Sequence, residues 1–264
     1  MTKEPSLISE ISSIPRLEIL RLLNDSPLKT SQIAKKTSSS IQGSKRHLER
    51  LTTSRLIQKH PDGNFTITSL GYAMLLQVDF FDFFRRHEAF FSNHSLDGIP
   101  ESLIRRMGEL INCEYEPNTM RGLQRSRDMI ANNKEWACGM AAIIPLEFFD
   151  EMIPVLKKGV THRIVFGKNT IVPHGFDTHP SRVNEWLLAK KKKQVEEKFV
   201  ESIPINVVVT ESEAMAVFFD NDGHLDAKSM FFGKDPLFRK WCMDLVDYFW
   251  NFVPEIPEFK LREV

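Results

Sequence analysis

Ser38-Ser-Ser-Ile-Gln-Gly-Ser-Lys-Arg-His-Leu-Glu-Arg-Leu-Thr-Thr-Ser-Arg-Leu-Ile-Gln-Lys-His60 is the stretch whose reading decides the fold. It opens on hydroxyl side chains suited to capping a helix. From Ile41 to Ser54 the spacing predicts one helix, because Ile41, Ser44, Leu48 and Leu51 recur three and four residues apart and share a stripe. The other faces carry Gln42, Lys45, Arg46, Glu49 and Arg50, with Arg55 and Lys59 just beyond. A short helix with an apolar back and a cationic front suits the DNA major groove. There Arg and Gln read base edges and Lys neutralises phosphate.

The flanking residues give this helix its setting. Leu56 to His60 and Asn64 to Thr68 are β-prone runs on either side of Pro61-Asp62-Gly63, which predicts a hairpin. A hairpin directly after the second helix of a helix-turn-helix is a wing, with a tip from Lys59 through Asn64 that lies along the minor groove or the backbone. Upstream, Leu7 to Leu23 is rich in Leu and Ile, with Pro15 opening a helix at its first turn and Asp25-Ser26-Pro27 ending it. Thr30 or Ser31 is expected to cap a short helix from Gln32 to Thr37, with Ile33 and Ala34 turned inward. The order of elements makes residues 1–76 a winged helix-turn-helix. Gln42, Lys45 and Arg46 lie near the end of the second helix that enters the groove and are assigned to base or base-proximal contact. Ser39, Ser40 and Arg50 are assigned to phosphates, and Lys59 and Asn64 to the wing. Gly43 costs the helix about 1 kcal/mol relative to Ala, and His47 is expected to pack at the helix flank.

The charge distribution agrees. Residues 1–76 hold eleven Lys and Arg against six Asp and Glu, a net of +5, so the remainder of a chain with zero formal charge carries −5. A basic head on an acidic body suits a nucleic-acid reader with a regulatory domain. At 264 residues, 42% hydrophobic and 27% charged, the chain is long enough for two cores. No apolar run reaches the roughly 18 to 20 residues of a bilayer span, and the N-terminus lacks a signal peptide's apolar core. Cys113, Cys138 and Cys242 are far apart and form no Cys-x-x-Cys pair. They suit a reducing cytoplasm rather than a disulfide framework or a cysteine zinc site.

Beyond the hairpin, Thr68 or Ser69 caps a long helix from Leu70 to about Phe91. Its many Phe are to be covered by the second domain or by a second copy of the chain. Another helix is expected from Pro100 to Ile111. Residues 77–112 thus form a helical linker and dimerisation region. From Cys113 onward helices and strands alternate. Strands are predicted at Cys113–Glu116, Trp136–Ile143, Val160–Phe166, Ile205–Thr210, Ala214–Phe219 and Ser229–Phe232. Helices are predicted from Asn118 to Asn132, Pro145 to Lys158, Ser181 to Ser202 and Leu237 to Phe252. Gly159 stops the second of these helices, and Asp235 with Pro236 starts the last. Alternation implies an α/β effector domain over residues 113–264 with a mixed, mostly parallel sheet and an antiparallel hairpin near its end.

Other constellations have plainer readings. The run Lys190 to Lys193 offers a second DNA contact or a solvated helix face, and the latter is preferred. His174, Asp177 and His179 lack helical metal spacing and a third ligand. Asp220, Asp222, His224 and Asp226 loosely resemble a calcium loop. Gly223 and Phe231 stand where that loop does not allow them, so a hairpin turn is read instead. With no phosphate-binding loop, Gly-x-Ser-x-Gly or zinc-protease motif, no cofactor, no metal and no catalytic residue is assigned.

At Phe91-Ser-Asn-His-Ser-Leu-Asp-Gly-Ile-Pro-Glu-Ser-Leu-Ile-Arg-Arg-Met-Gly-Glu-Leu110, Val155-Leu-Lys-Lys-Gly-Val-Thr-His-Arg-Ile-Val165, Asp222-Gly223, Trp241 and Tyr248-Phe249-Trp250 the chain resembles the archaeal methanogenesis regulatory protein family. Its N-terminal part resembles ArsR-like winged-helix regulators, which place an aliphatic residue where this chain has Ser44. The family's second domain is similar to phospholipase-D-like effector domains of sugar-responsive regulators. The His-x-Lys-x-x-x-x-Asp motif of phosphodiesterases is missing, since Arg163 and Ile164 follow His162. The resemblance implies a cytoplasmic transcription regulator that binds a duplex operator as a homodimer and answers to a small-molecule or protein effector. The alternatives are an α/β enzyme recruited to DNA by its winged module, and a protein-interaction adaptor using the Phe-rich helix.

Overall fold

Helical spacing of Leu and Ile in the first eighty residues, and β-branched runs after residue 135, sort the chain into two kinds of core. The computed structural model of the chain describes residues 6–144, 146–172, 180–258 and 262–263. They form two compact units, Met1–Phe83 and Phe84–Val264. No helix among the described residues is long and apolar enough to cross a membrane.

The first unit runs α1 (Leu7–Ile11), α2 (Ile14–Asp25), β1 (Leu28–Lys29), α3 (Thr30–Lys36), α4 (Ile41–Thr53), β2 (Ile57–Lys59), β3 (Asn64–Ile67) and α5 (Ser69–Arg86), the last continuing past Phe83. Pro15 occupies the first turn of α2, where a missing N–H costs nothing. The start of α3 corrects the expected cap. Gln32 Oε1 accepts the Lys29 N–H at 2.8 Å, in place of a Thr30 or Ser31 hydroxyl. The strands pair antiparallel in the order β1-β3-β2, with Ile57 opposite Ile67 and Lys59 opposite Phe65. Pro61-Asp62-Gly63 closes the β2–β3 hairpin. Gly63 N–H donates to His60 O at 3.0 Å, and Gly63 takes φ +86°, a left-handed position that glycine fills without strain. Ile19, Leu20, Ile33, Leu51 and Leu56 are fully buried in one cluster, each contributing about 1.5–3 kcal/mol on leaving water.

The second unit adds α6 (Glu88–Phe91), α7 (Glu101–Ile104), β4 (Glu114–Glu116), α8 (Thr119–Ala131), β5 (Trp136–Ile143), α9 (Leu146–Lys157), β6 (Thr161–Val172), α10 (Pro180–Lys191), β7 (Val195–Val200), β8 (Ile205–Thr210), β9 (Ala214–Phe218), β10 (Met230–Gly233), α11 (Pro236–Asn251) and β11 (Arg262–Glu263). Three expectations are corrected. The helix expected to reach Phe91 breaks at His87, which opens α6 with φ −116° and ψ 27°. Residues 100–111 resolve into α7 and a 3-10 turn, Met107–Leu110. The helix expected from Ser181 to Ser202 stops at Lys191, and Val195–Val200 instead pairs parallel with β6. Glu196, Glu197 and Lys198 are good helix formers, but strand pairing and burial of Val195, Phe199 and Val200 override that preference.

Among the described residues eight strands form one sheet in the order β11-β6-β5-β8-β9-β10-β4, with β7 also on β6. Pairs made by β6 are parallel, whereas β5–β8, β8–β9, β9–β10 and β10–β4 are antiparallel. The sheet is therefore mixed, with more antiparallel pairing than expected. Side chains alternate across it. One face is covered by α11, whose Phe238, Trp241, Cys242, Leu245 and Val246 are buried. Trp241 Nε1 donates to Leu103 O at 2.8 Å and Arg106 pairs with Asp244 at 2.7 Å, so residues 103–110 pack within this unit. The other face meets α8, α9 and α10 around Ile130, Met152, Leu156 and Val195.

Candidate nucleic-acid interface

Burial on one side decides what α4 presents on the other. Ser44, Leu48 and Leu51 face the core, while Gln42, Lys45, Arg46, Glu49 and Arg50 are exposed. Ser40 is the cap of α4, its Oγ accepting the Gly43 N–H at 3.0 Å. A Cβ on Gly43 would stand 3.1 Å from that oxygen, so the glycine keeps room for the cap. Ser44 is fully buried, and its hydroxyl is satisfied by Ser39 Oγ at 2.9 Å, which in turn meets Thr37 Oγ1 at 2.6 Å. A polar residue in the apolar stripe thereby fastens the α3–α4 turn to the helix. Ser39 and Ser40, expected on phosphates, are exposed with hydroxyls engaged in this turn.

Arg50 has an inward partner that sequence reading did not find. Its Nη2 lies 2.6 Å from Glu10 Oε1, and the other Glu10 oxygen lies 2.7 Å from Arg16 Nε. Glu10 has 0% exposure, while Arg50 keeps about half of its side chain in solvent. Arg16 also donates to Ser9 O at 2.7 Å and Glu10 O at 3.1 Å. One buried carboxylate thus joins α1, α2 and α4. The available signal was a lone acid inside the apolar run Leu7 to Ile11. His47 is partly buried on the flank, and burial, followed by the charges of Arg46, Arg16 and Arg50, holds its pKa below the usual histidine value. The cationic front of α4 is therefore Lys45 and Arg46, with Arg50 behind them.

At the hairpin, Lys59 is exposed and its ammonium lies 5.8 Å from the Phe65 ring centroid. Asn64 donates from its backbone N–H to Asp62 Oδ1 at 2.9 Å and from Nδ2 to Oδ2 at 2.7 Å, which ties down the tip. The backbone N–H, first, and then the side-chain amide hold the Asp62 carboxyl below the usual carboxylate range.

The remaining candidates lie elsewhere. Lys190 pairs with Glu197 and closes α10, and Lys193 makes a turn at φ +58°. Asp220, Asp222 and His224 have ligand atoms within 4.8 Å of one another in a largely exposed turn. There Asp220 Oδ1 accepts the Asp222 and His224 N–H groups, and Asp226 pairs instead with His94 at 3.0 Å. His174, Asp177 and His179 lie outside the described residues.

Together these elements define an α+β chain with a cationic helix in its helical first unit and a mixed sheet in its second. Residues 120–251 match the family described as methanogenesis regulatory protein FilR1, middle domain; this is half of the chain, and the chain belongs to that family. Among curated protein sequences no match is found. Among solved structures, the chain is similar to TrmBL2, described as an archaeal chromatin protein with a novel mode of DNA binding. That likeness has 11% identity and a TM-score of 0.41, over 95% of this chain and 100% of that one. It is also similar to Nuc from Salmonella typhimurium, a phospholipase D family member, at 12% identity and a TM-score of 0.36, over 56% of this chain and 97% of that one.

Proposed function

We propose that the chain is a DNA-binding transcription regulator whose residues 1–76 act as an ArsR-like winged helix-turn-helix. In this reading α4 enters the major groove, with Gln42, Lys45 and Arg46 at base edges or beside them. The turn hydroxyls of Ser39 and Ser40 and the outer side of Arg50 approach phosphates, and Lys59 and Asn64 on the hairpin follow the neighbouring backbone. Residues 77–112 link two copies into a homodimer, and residues 113–264 sense an effector and bias the readers, which requires different affinity for two arrangements. The observation that carries the proposal is the exposed Gln42-Lys45-Arg46 face on a capped helix anchored by Ser44, Leu48 and Leu51. Membership of a family described as a regulatory protein supports the regulatory part.

The test selects a duplex from a random pool and measures its affinity for the wild-type chain and for Lys45→Ala/Arg46→Ala. Two lost contacts are expected to weaken specific binding by about 100-fold or more with the circular dichroism spectrum unchanged. Wild-type affinity should also fall steeply with salt as counterions are released. A double variant that binds like wild type would overturn the assignment of α4.

A further inference from the structure

The sheet face under α8, α9 and α10 is not filled by its own side chains. β5 turns Ala137, Gly139 and Ala141 to that side, all too short to reach the helices, and a cavity of about 560 Å³ lies against them. Its apolar wall includes Ile130, Phe148, Met152, Phe166, Trp186 and Met215. The volume is that of a small-molecule site, and thioethers in the wall adapt to a ligand's outline. Left empty, such a space forfeits dispersion contacts along its whole lining.

The polar groups of the lining are few and mostly engaged. Glu197 accepts the Trp186 indole N–H at 2.6 Å and pairs with Lys190, the only Lys or Arg among the described lining residues. Glu258 adds a second carboxylate 3.9 Å from the same ammonium. Among the described lining residues an anionic ligand therefore meets no free counter-charge, and a sugar would leave most of its hydroxyls without partners there. His162 is different. It is buried in the wall and its Nε2 has no hydrogen-bond partner. Burial pushes its pKa down to about 4, so the ring is neutral and offers one donor and one acceptor.

We infer that this cavity binds an uncharged, largely apolar small molecule that carries one hydrogen-bonding group for His162. The inference deepens the sensor reading of this unit and rests on that reading only for what the binding accomplishes. The probe is N-phenyl-1-naphthylamine, two aromatic systems joined by one N–H, titrated into the full chain without DNA. Saturable fluorescence at one site per chain is expected, with quenching of tryptophan emission that is largely lost in Trp186→Phe. His162→Leu should keep the fold and weaken the probe about fivefold. Ala141→Leu puts a branched side chain into the cavity where a ligand would lie, so it should weaken the probe by about tenfold or more while holding or raising the melting temperature. The sulfonated analogue, with the same rings plus a negative charge, should bind about tenfold more weakly. Non-saturable uptake, equal affinity for wild type, His162→Leu and Ala141→Leu, or tighter binding of the sulfonate overturns the inference. If Ala141→Leu does not fold, His162→Leu and the sulfonate comparison decide. Because the titration contains no DNA, its failure leaves the Lys45 and Arg46 test untouched, and failure of that test leaves this one standing.

Discussion

At the scale of single residues, two buried titratable groups make opposite demands. The Glu10 carboxylate is shared by Arg16 and Arg50, so removing it strands Arg16 inside the fold without its partner. Glu10→Gln is expected to lower stability by about 3 kcal/mol, read as a fall in the urea midpoint at constant slope. Arg50→Ala, whose side chain is half exposed, should cost about 1 kcal/mol or less. Equal losses for the two variants would mean that Glu10 is not the shared anchor. His162 must stay neutral instead. Its pKa in the fold is about 4 against an ordinary 6.5, so below pH 6.5 the unfolded chain takes up a proton that the folded chain refuses. Stability from this residue is complete above pH 6.5 and drains away as the pH falls to 4, by about 3 kcal/mol over the window. His162→Leu should remove that part of the acid dependence, and a variant with the wild-type slope between pH 7 and 4 would refute the burial argument.

At the scale of elements, helix ends separate what was legible from what was not. Among the described residues four helices close with the same pair of backbone bonds, from the residue after the cap and from the one beyond it, around a positive φ. After α9 the positive-φ residue is Gly159, and that stop was readable. After α3, α4 and α10 it is Ser38, Arg55 and Lys193, residues with no preference for that conformation. At Lys193 the missing signal let the reading run on through β7, a strand written in helix-forming residues and defined by its pairing with β6. The Asp-Gly hairpin, the α4 stripe from Ser44 to Leu51 and the span of β5 were legible because period and turn chemistry are local, whereas Ile41, expected on that stripe, is 55% exposed in the first turn of α4. The Glu10 anchor and the cavity under α10 were not, since each joins residues far apart in sequence. The helix ends also carry a paired prediction. Arg55→Gly should gain about 0.5–1 kcal/mol by relieving a left-handed non-glycine residue, net of glycine's extra chain entropy. Gly159→Ala should lose about 1 kcal/mol for the converse reason. Thermal unfolding of both variants measures this, and changes of the same sign would contradict the shared geometry.

At the scale of the whole molecule, a net of +5 in residues 1–76 against −5 in the rest suits the proposed reader, whose DNA contacts all lie in residues 1–76. One short helix face supplies limited specific contact, so the proposed reader depends on being doubled. Tyr72 and Leu76 lie one turn apart on α5 with 48% and 50% exposure, immediately before the 77–112 region, a pair of large apolar side chains that a second copy held by that region would also cover. In a homodimer two copies of α4 would reach successive major grooves roughly 34 Å apart on an inverted repeat. The second contact would then be intramolecular, and affinity for the full site would exceed that for a half-site by about 100-fold or more. Tyr72→Glu/Leu76→Glu places four like charges where the two copies would meet. It is expected to shift sedimentation from dimer to monomer, to leave half-site affinity within about threefold of wild type, and to erase the full-site advantage. A variant that still sediments as a dimer moves the interface away from this face of α5. A monomer that keeps full-site affinity would show that one copy of α4 and its hairpin suffices to read the operator.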